Sequence, residues 1–357
     1  MFSNELKTKI LSESRLSKRE ALQLISEEID TIELLSVTYP LRKKYFNKAV
    51  RIHILNNSQN GYCPEDCHYC VQAKDSKVPI EKYTKKDEDQ ILKEAENAYQ
   101  KGAYRYCMVF SGRGPSQKRV AFLSNVIKKI KSNFPIEVCL SPGLISKEDA
   151  KLLADSGLDR YNHNLNTSES HYKNICTTHT FKDRLDTLSN VNANNIDICS
   201  GMIVGMGESD EDIVDVALKL RDVNVKSIPI NFYLHMEGNK LGQLPKVTAE
   251  KCCKIVALFR AIHPSAEIRL AAGREYYLGD LQSMALMAAN SLFMNGYLNI
   301  KGSDIHETIS MIETAGFSVD ADIDLNTLKA SAKTMDALTQ FNSSQLELKS
   351  KEDLIPA

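Results

Sequence analysis

The chain has 357 residues, 43% of them apolar and 25% charged, with a formal net charge of -1. That composition fits a globular chain with a sizeable core and excludes extensive disorder, while a near-neutral balance lacks the basic field that nucleic-acid binding requires. The polar N-terminus has no apolar leader and no stretch approaches about 18 uninterrupted apolar residues, so a cytoplasmic protein with no membrane partner is expected, in which nine cysteines point to metal or redox chemistry rather than disulfides.

Residues 1–47 read as an N-terminal helical extension, with Ser17 as a cap before KREALQLISEEI and Thr31 beginning TIELLSVTYPLRKKYF. From residue 48 to 319 short strands alternate with amphipathic helices. In chain order the predicted strands are VRIHILNN, YRYCMVFSG, IEVCLS, LDRYNHNLN, IDICSGMIVG, KSIPINFYL, EIRLAAG and NSLFMNGYL. The helix EDQILKEAENAYQKG, between the first two, carries apolar residues at helical spacing and stops at Gly102. Eight strands with helices between them predict an α/β fold, a TIM-type (βα)₈ barrel forming one large domain. Residues 320–357 lose this rhythm and end in FNSSQLELKSKEDLIPA, expected as a polar tail or a surface helix.

Directly after the first strand comes GYCPEDCHYCVQAK, with Cys63, Cys67 and Cys70 inside eight residues. Iron-sulfur clusters are normally held by four thiolates, and this spacing supplies three, which leaves one iron open to a small molecule. The position, at the strand end of a parallel barrel where active sites are built, favours a reaction centre over a structural staple. Zinc is the alternative, because Cys67 and Cys70 form a CxxC pair with His68 between them, but no second ligand pair follows within the next 30 residues.

A second group lies on later strands: Cys107 in YRYCMV, Cys139 in IEVCLS and Cys199 in IDICSG, with Arg269 at a comparable height in EIRLAAG. Strand alternation places the residue two before each on the same face, namely Arg105, Glu137, Asp197 and Glu267. All four are charged, which predicts a polar barrel interior where a packed apolar core is the rule. Each cysteine alone reads as a small buried hydrophobe; three in phase are better read as ligands. Chemistry alone does not nominate Arg269, since a guanidinium is almost always protonated.

The motif CPEDCHYC resembles that of the radical S-adenosylmethionine enzymes, and RYCM, GLDRYNHNLNTS, RLDTL, CSGMIVGMGE, PIN and IRLAAGRE arrive in the order found in the biotin synthases, over about residues 50–300. The resemblance implies a [4Fe-4S] cluster on Cys63, Cys67 and Cys70 whose fourth iron binds S-adenosylmethionine. It also implies an auxiliary [2Fe-2S] cluster on Cys107, Cys139, Cys199 and Arg269, the source of sulfur inserted into dethiobiotin to form biotin. No side chain is assigned as an acid or base. A small electron-transfer protein as reductant and a homodimer are likewise implied. A hydrogenase-maturation or aminomutase relative would share the first triplet without needing the second group. A non-catalytic iron-sulfur or zinc protein would cleave no S-adenosylmethionine.

Carried over by position, Asn164 contacts both substrate and ribose, Asn166 the ribose, and Asn231 the ureido ring, a neutral group that side-chain amides match without adding charge. Isolated asparagines more often end strands or start turns. Ser111 and Gly112 in SGRGP are expected at the methionyl end, Ile203 and Val204 in GMIVGMGE around the adenine, Tyr69 stacked on it, and Arg184 near the cofactor, with a surface ion pair as its alternative. Three departures from the family pattern stand out: Asn166 where aspartate is frequent, the SGRGP segment, and His179 where arginine is common. Cys176, Cys252 and Cys253 match no ligand position, and His163 reads as structural.

Overall fold

The computed structural model describes residues 2–321, 323, 341–342 and 345–355. Its strands are β1 (Ala49–Gln59), β2 (Arg105–Phe110), β3 (Glu137–Ser141), β4 (Arg160–Asn162), β5 (Asp197–Cys199), β6 (Met202–Val204), β7 (Ser227–Phe232), β8 (Glu267–Leu270), β9 (Ser291–Phe293) and β10 (Ser318–Asp320). All pair in parallel, and Arg51 opposite Ser291 closes β9 onto β1. With β5 and β6 as two halves of one staved strand, this is a closed eight-stranded barrel wrapped by helices; β10 adds to the start of β1 outside it.

The eight strands fall on the eight predicted segments. Strand β7 is buried along its whole length, as a strand with a filled lumen on one side and helices on the other must be. The helices begin where the chain offers an acceptor for their free N–H groups: Asp87, Ser116, Ser146, Thr180, Ser209, Thr248 and Asp304 each cap the helix that follows.

The break between β5 and β6 has a steric cause. A Cβ on Gly201 would sit 1.9 Å from the Pro229 carbonyl oxygen of the neighbouring strand, so only glycine allows the two backbones to approach this closely. Gly201→Ala is expected to destabilise the barrel by about 1–3 kcal/mol through forced backbone movement. A thermal midpoint unchanged within a degree would contradict it.

Three helices precede the barrel, Asn4–Leu11, Lys18–Leu24 and Thr31–Phe46. Ser17 forms a capping box with Glu20 at the second, which ends at Leu24, short of the ISEEI expected to continue it. The second and third pack on the barrel helices Asp210–Asp222 and Ala249–Ile262, and the first packs on the third. Leu34 and Leu35 are fully buried there, each contributing about 1.5–3 kcal/mol. Arg42, fully buried, donates from Nη2 to the Ala49 carbonyl at 2.8 Å and from Nε to the Ala289 carbonyl at 3.3 Å, joining the strand ends at the closing seam.

Much of the segment 320–357 expected as a tail or surface helix lies outside the described residues. Of the rest, Lys301 N–H bonds the Glu347 carbonyl and Lys349 N–H the Asn299 carbonyl, and Leu354 is buried. Among the described residues no helix is long and apolar enough to cross a membrane.

Candidate active site

The long connection after β1, residues 60–87, carries the first cysteine triplet over the C-terminal ends of the strands. A cavity of about 290 Å³ opens there, lined by Cys63, Cys67 and Cys70 together with groups from the strand ends. The cysteines form no disulfide. Backbone N–H groups of Glu65 and Gly112 point at the Cys63 sulfur, and those of Gln72 and Ala73 at Cys70. Burial still pushes both thiols up, Cys70 to about 11.

The same wall holds Tyr69, Ser111, Gly112, Asn164, Asn166, Arg184, Ile203 and Asn231. Val204 does not line it: alternation along β6 turns Ile203 inward and Val204 into the core behind the sheet. Asn166 adopts a left-handed backbone (φ 69°), which lets its main chain bond Gly201 and Ile203 while its amide donates to the Tyr69 hydroxyl at 2.6 Å. The Asn164 oxygen accepts from Gly201 N–H at 3.1 Å and from Asn162, which leaves its amide hydrogens for a ligand. Asn231 spans Met202 and the Ala272 N–H at 3.0 and 3.2 Å, with one donor and one acceptor direction to spare.

Arg184 is buried rather than paired at the surface. It donates to the Asn164 carbonyl at 2.7 Å, to His179 Nε2 at 2.8 Å and to the Tyr172 hydroxyl, and has no ion pair among the described residues. A buried guanidinium beside a cavity, held only by neutral groups, is a ready partner for a carboxylate.

Beneath this cavity lies the second group. Cys107 and Cys139 are register partners on β2 and β3, Cys199 ends β5, and all three are buried in a small cluster with Ala271 and Phe293. Arg269 reaches Cys199 Sγ at 3.8 Å, and its Nε is buried without a partner. Asn162, on the wall of the upper cavity, donates to Cys199 Sγ at 3.2 Å. Burial opposes ionisation of Cys107, yet a hydrogen bond from Cys139 and the charges of Arg269 and Arg105 bring it below its ordinary value; Cys139 and Cys199 are raised. Three convergent thiols with an orphaned guanidinium nitrogen at the same depth fit a small cluster of iron and sulfide.

The barrel floor is a charged plug. Arg105 bonds Glu137 at 2.6 Å and Glu267 at 2.9 Å; Glu267 also meets His53, Arg269, Arg51 and the Ser227 hydroxyl. Asp197, the fourth in-phase charge, pairs with Arg160 at 3.4 Å and is half-exposed. Burial alone would raise the Glu267 carboxyl, but Arg105 and Arg269 hold it well below the usual range, and burial with Arg269 keeps His53 neutral.

A contact the spacing could not reveal joins the first triplet to the loop after β4. Cys176 Sγ lies 3.8 Å from Cys67 Sγ, with His179 beside it. Cys252 and Cys253 are core residues of the helix Ala249–Ile262.

A family model described as the Radical SAM superfamily matches residues 59–220, and one described as the Biotin and Thiamin Synthesis associated domain matches residues 229–318. Over 303 residues the chain is 50% identical to the biotin synthase of Magnetococcus marinus, covering 85% of this chain and 94% of the relative. It is 44% identical over 317 residues to the biotin synthase of Macrococcus caseolyticus, covering 88% and 96%. Two solved structures are similar in fold: the FeFe-hydrogenase maturase HydG of Carboxydothermus hydrogenoformans (TM-score 0.78, 17% identity, 90% of this chain and 80% of that one) and methylornithine synthase, PylB (TM-score 0.76, 16% identity, 91% and 99%).

Proposed function

The chain belongs to the biotin synthase family of radical S-adenosylmethionine enzymes, and we propose from that premise that it inserts sulfur between the methyl and methylene carbons flanking the ureido ring of dethiobiotin. The observation that carries this reading is the stacking of two thiol groups along one barrel: Cys63, Cys67 and Cys70 on the cavity, and Cys107, Cys139 and Cys199 with Arg269 beneath it. The upper group would hold a [4Fe-4S] cluster and the lower a [2Fe-2S] cluster. When bound, the first supplies an electron for reductive cleavage of S-adenosylmethionine and the second supplies sulfur.

The remaining residues bind, orient and exclude water. Arg184 takes the methionyl carboxylate, with Ser111 and the open backbone at Gly112 at the same end. Tyr69 and Ile203 face the adenine, Asn164 and Asn166 the ribose. Asn231 and the free amide hydrogens of Asn164 match the neutral donors and acceptors of the ureido ring. Asn162, Asn164 and Arg269 link the two levels, so the substrate lies between the groups that act on it. Enclosure by the barrel wall keeps a reactive intermediate from solvent. Family resemblance supports a cytoplasmic homodimer served by a small electron-transfer protein.

Anaerobic reconstitution with iron and sulfide, followed by S-adenosylmethionine, a reductant and dethiobiotin, is expected to yield biotin together with 5′-deoxyadenosine. Absence of biotin from protein carrying both clusters would overturn the reading.

A further inference from the structure

We propose that Cys67, Cys176 and His179 form a second, mutually exclusive metal site, which in the cluster-free chain binds a thiophilic divalent cation of the zinc type. Among the described residues these three offer ligand atoms that all lie within 4.8 Å of one another, and all three are buried. The spacing fits a single ion. Ligands about 2.3 Å from a tetrahedral centre stand about 3.8 Å apart. Cys67 Sγ and Cys176 Sγ are 3.8 Å apart, and Cys176 Sγ lies 3.3 Å from His179 Nδ1 and 3.8 Å from Nε2.

The histidine already holds the tautomer of a ligand, with Nε2 facing Arg184, so the ring must turn to bring that nitrogen onto an ion held by the two sulfurs. Arg184, which can only donate, points at Nε2, so the ring proton sits on Nδ1 and is given to Glu65 at 2.5 Å. A carboxylate on the far nitrogen is the usual support of a metal-bound imidazole. A cation on Nε2 would displace Arg184, whose Nη2 lies 2.8 Å from that nitrogen, so the guanidinium must swing aside when the ion binds. Asp66 Oδ1, 3.3 Å from Cys176 Sγ and fixed by the Thr177 and Thr178 N–H groups, or a water supplies the fourth position. Binding releases the two thiol protons to solvent. Because Cys67 cannot serve a single ion and a [4Fe-4S] cluster together, an ion here withholds one of the three thiolates from cluster assembly.

Titration of the anaerobic, cluster-free full chain with Co²⁺ tests this. One equivalent is expected to give sulfur-to-cobalt charge-transfer bands and the strong visible bands of a tetrahedral site. The Cys63→Ala/Cys70→Ala double variant should keep them. Cys176→Ala should lose part of the charge-transfer intensity and bind more than about tenfold more weakly, and Glu65→Gln, acting through His179, should weaken binding by about 10–100-fold. Zn²⁺ added first should retard appearance of the [4Fe-4S] chromophore in the native sequence but not in Cys176→Ala. Should Cys176→Ala fail to fold, His179→Gln serves instead, retaining the charge-transfer bands while losing affinity. Bands that survive Cys176→Ala unchanged, or vanish in the double variant, would put the ion on the triplet and overturn the proposal without touching the assignment of biotin formation.

Discussion

Cys139→Ala is expected to reduce biotin formation to background while S-adenosylmethionine cleavage continues. Cys139 is 2% exposed and lies between Cys107, its register partner, and Cys199, so it is central to the lower thiol group. Its loss leaves two thiols and Arg269, too few to hold a cluster. The upper triplet sits on a different segment, residues 60–87, and none of its sulfurs contacts Cys139. Removing one buried sulfur costs about 1 kcal/mol of folding stability, comparable to other single-heavy-atom deletions in a core, so the barrel persists. Iron and sulfide content, visible absorbance and 5′-deoxyadenosine yield report the two levels separately. Undiminished auxiliary absorbance would show that the ligand set is wrong.

The second large effect concerns stability. Glu267→Ala should lower unfolding free energy by about 3–5 kcal/mol, the cost of leaving buried charges without their counter-ion. Glu267 is buried and meets Arg105, Arg269, Arg51 and His53, so one carboxylate neutralises the centre of the floor. Its carboxyl is held below the ordinary value, so its contribution is complete above about pH 4.3 and is lost as the pH falls toward the folded-state value. Denaturant titration at pH 7 and at pH 4 checks both statements: the native chain should weaken on acidification and Glu267→Ala should weaken less. A variant within 1 kcal/mol of the native chain at pH 7 would refute the role given to the plug.

The barrel was legible because most strands are short apolar runs bounded by turn residues and followed by a capped amphipathic helix. The break at Ser200–Gly201 was not, since it depends on how closely Pro229 of the next strand approaches. Strand phase put Arg105, Glu137, Asp197 and Glu267 on one face, but phase says nothing of partners, and only the closed barrel shows Glu267 as the hub with Asp197 at the margin. Arg184 is the converse: the sequence left open a place near the cofactor or a surface ion pair, and folding buries it among neutral groups on the cavity wall. Cys176 stands 109 positions from Cys67, and no local pattern connects them. An acidic pair inside CPEDC and the donors of TTH were the available signal, because Asp66 and Glu65 are held by Thr177, Thr178 and His179.

The ionic plug has a kinetic consequence. With Arg105, Glu267 and His53 filling the lower end, the space around the lower cysteines borders, among the described residues, on the upper cavity, with which it shares Val109, Ser141, Asn162 and Tyr297. Under the proposed function that cavity also receives the cofactor and dethiobiotin, so iron and sulfide arriving from that side would meet a passage occupied during turnover. On that reading repair and turnover would be alternating occupations of one passage, with the lifetime of the bound organic molecules setting how soon the lower site could be refilled.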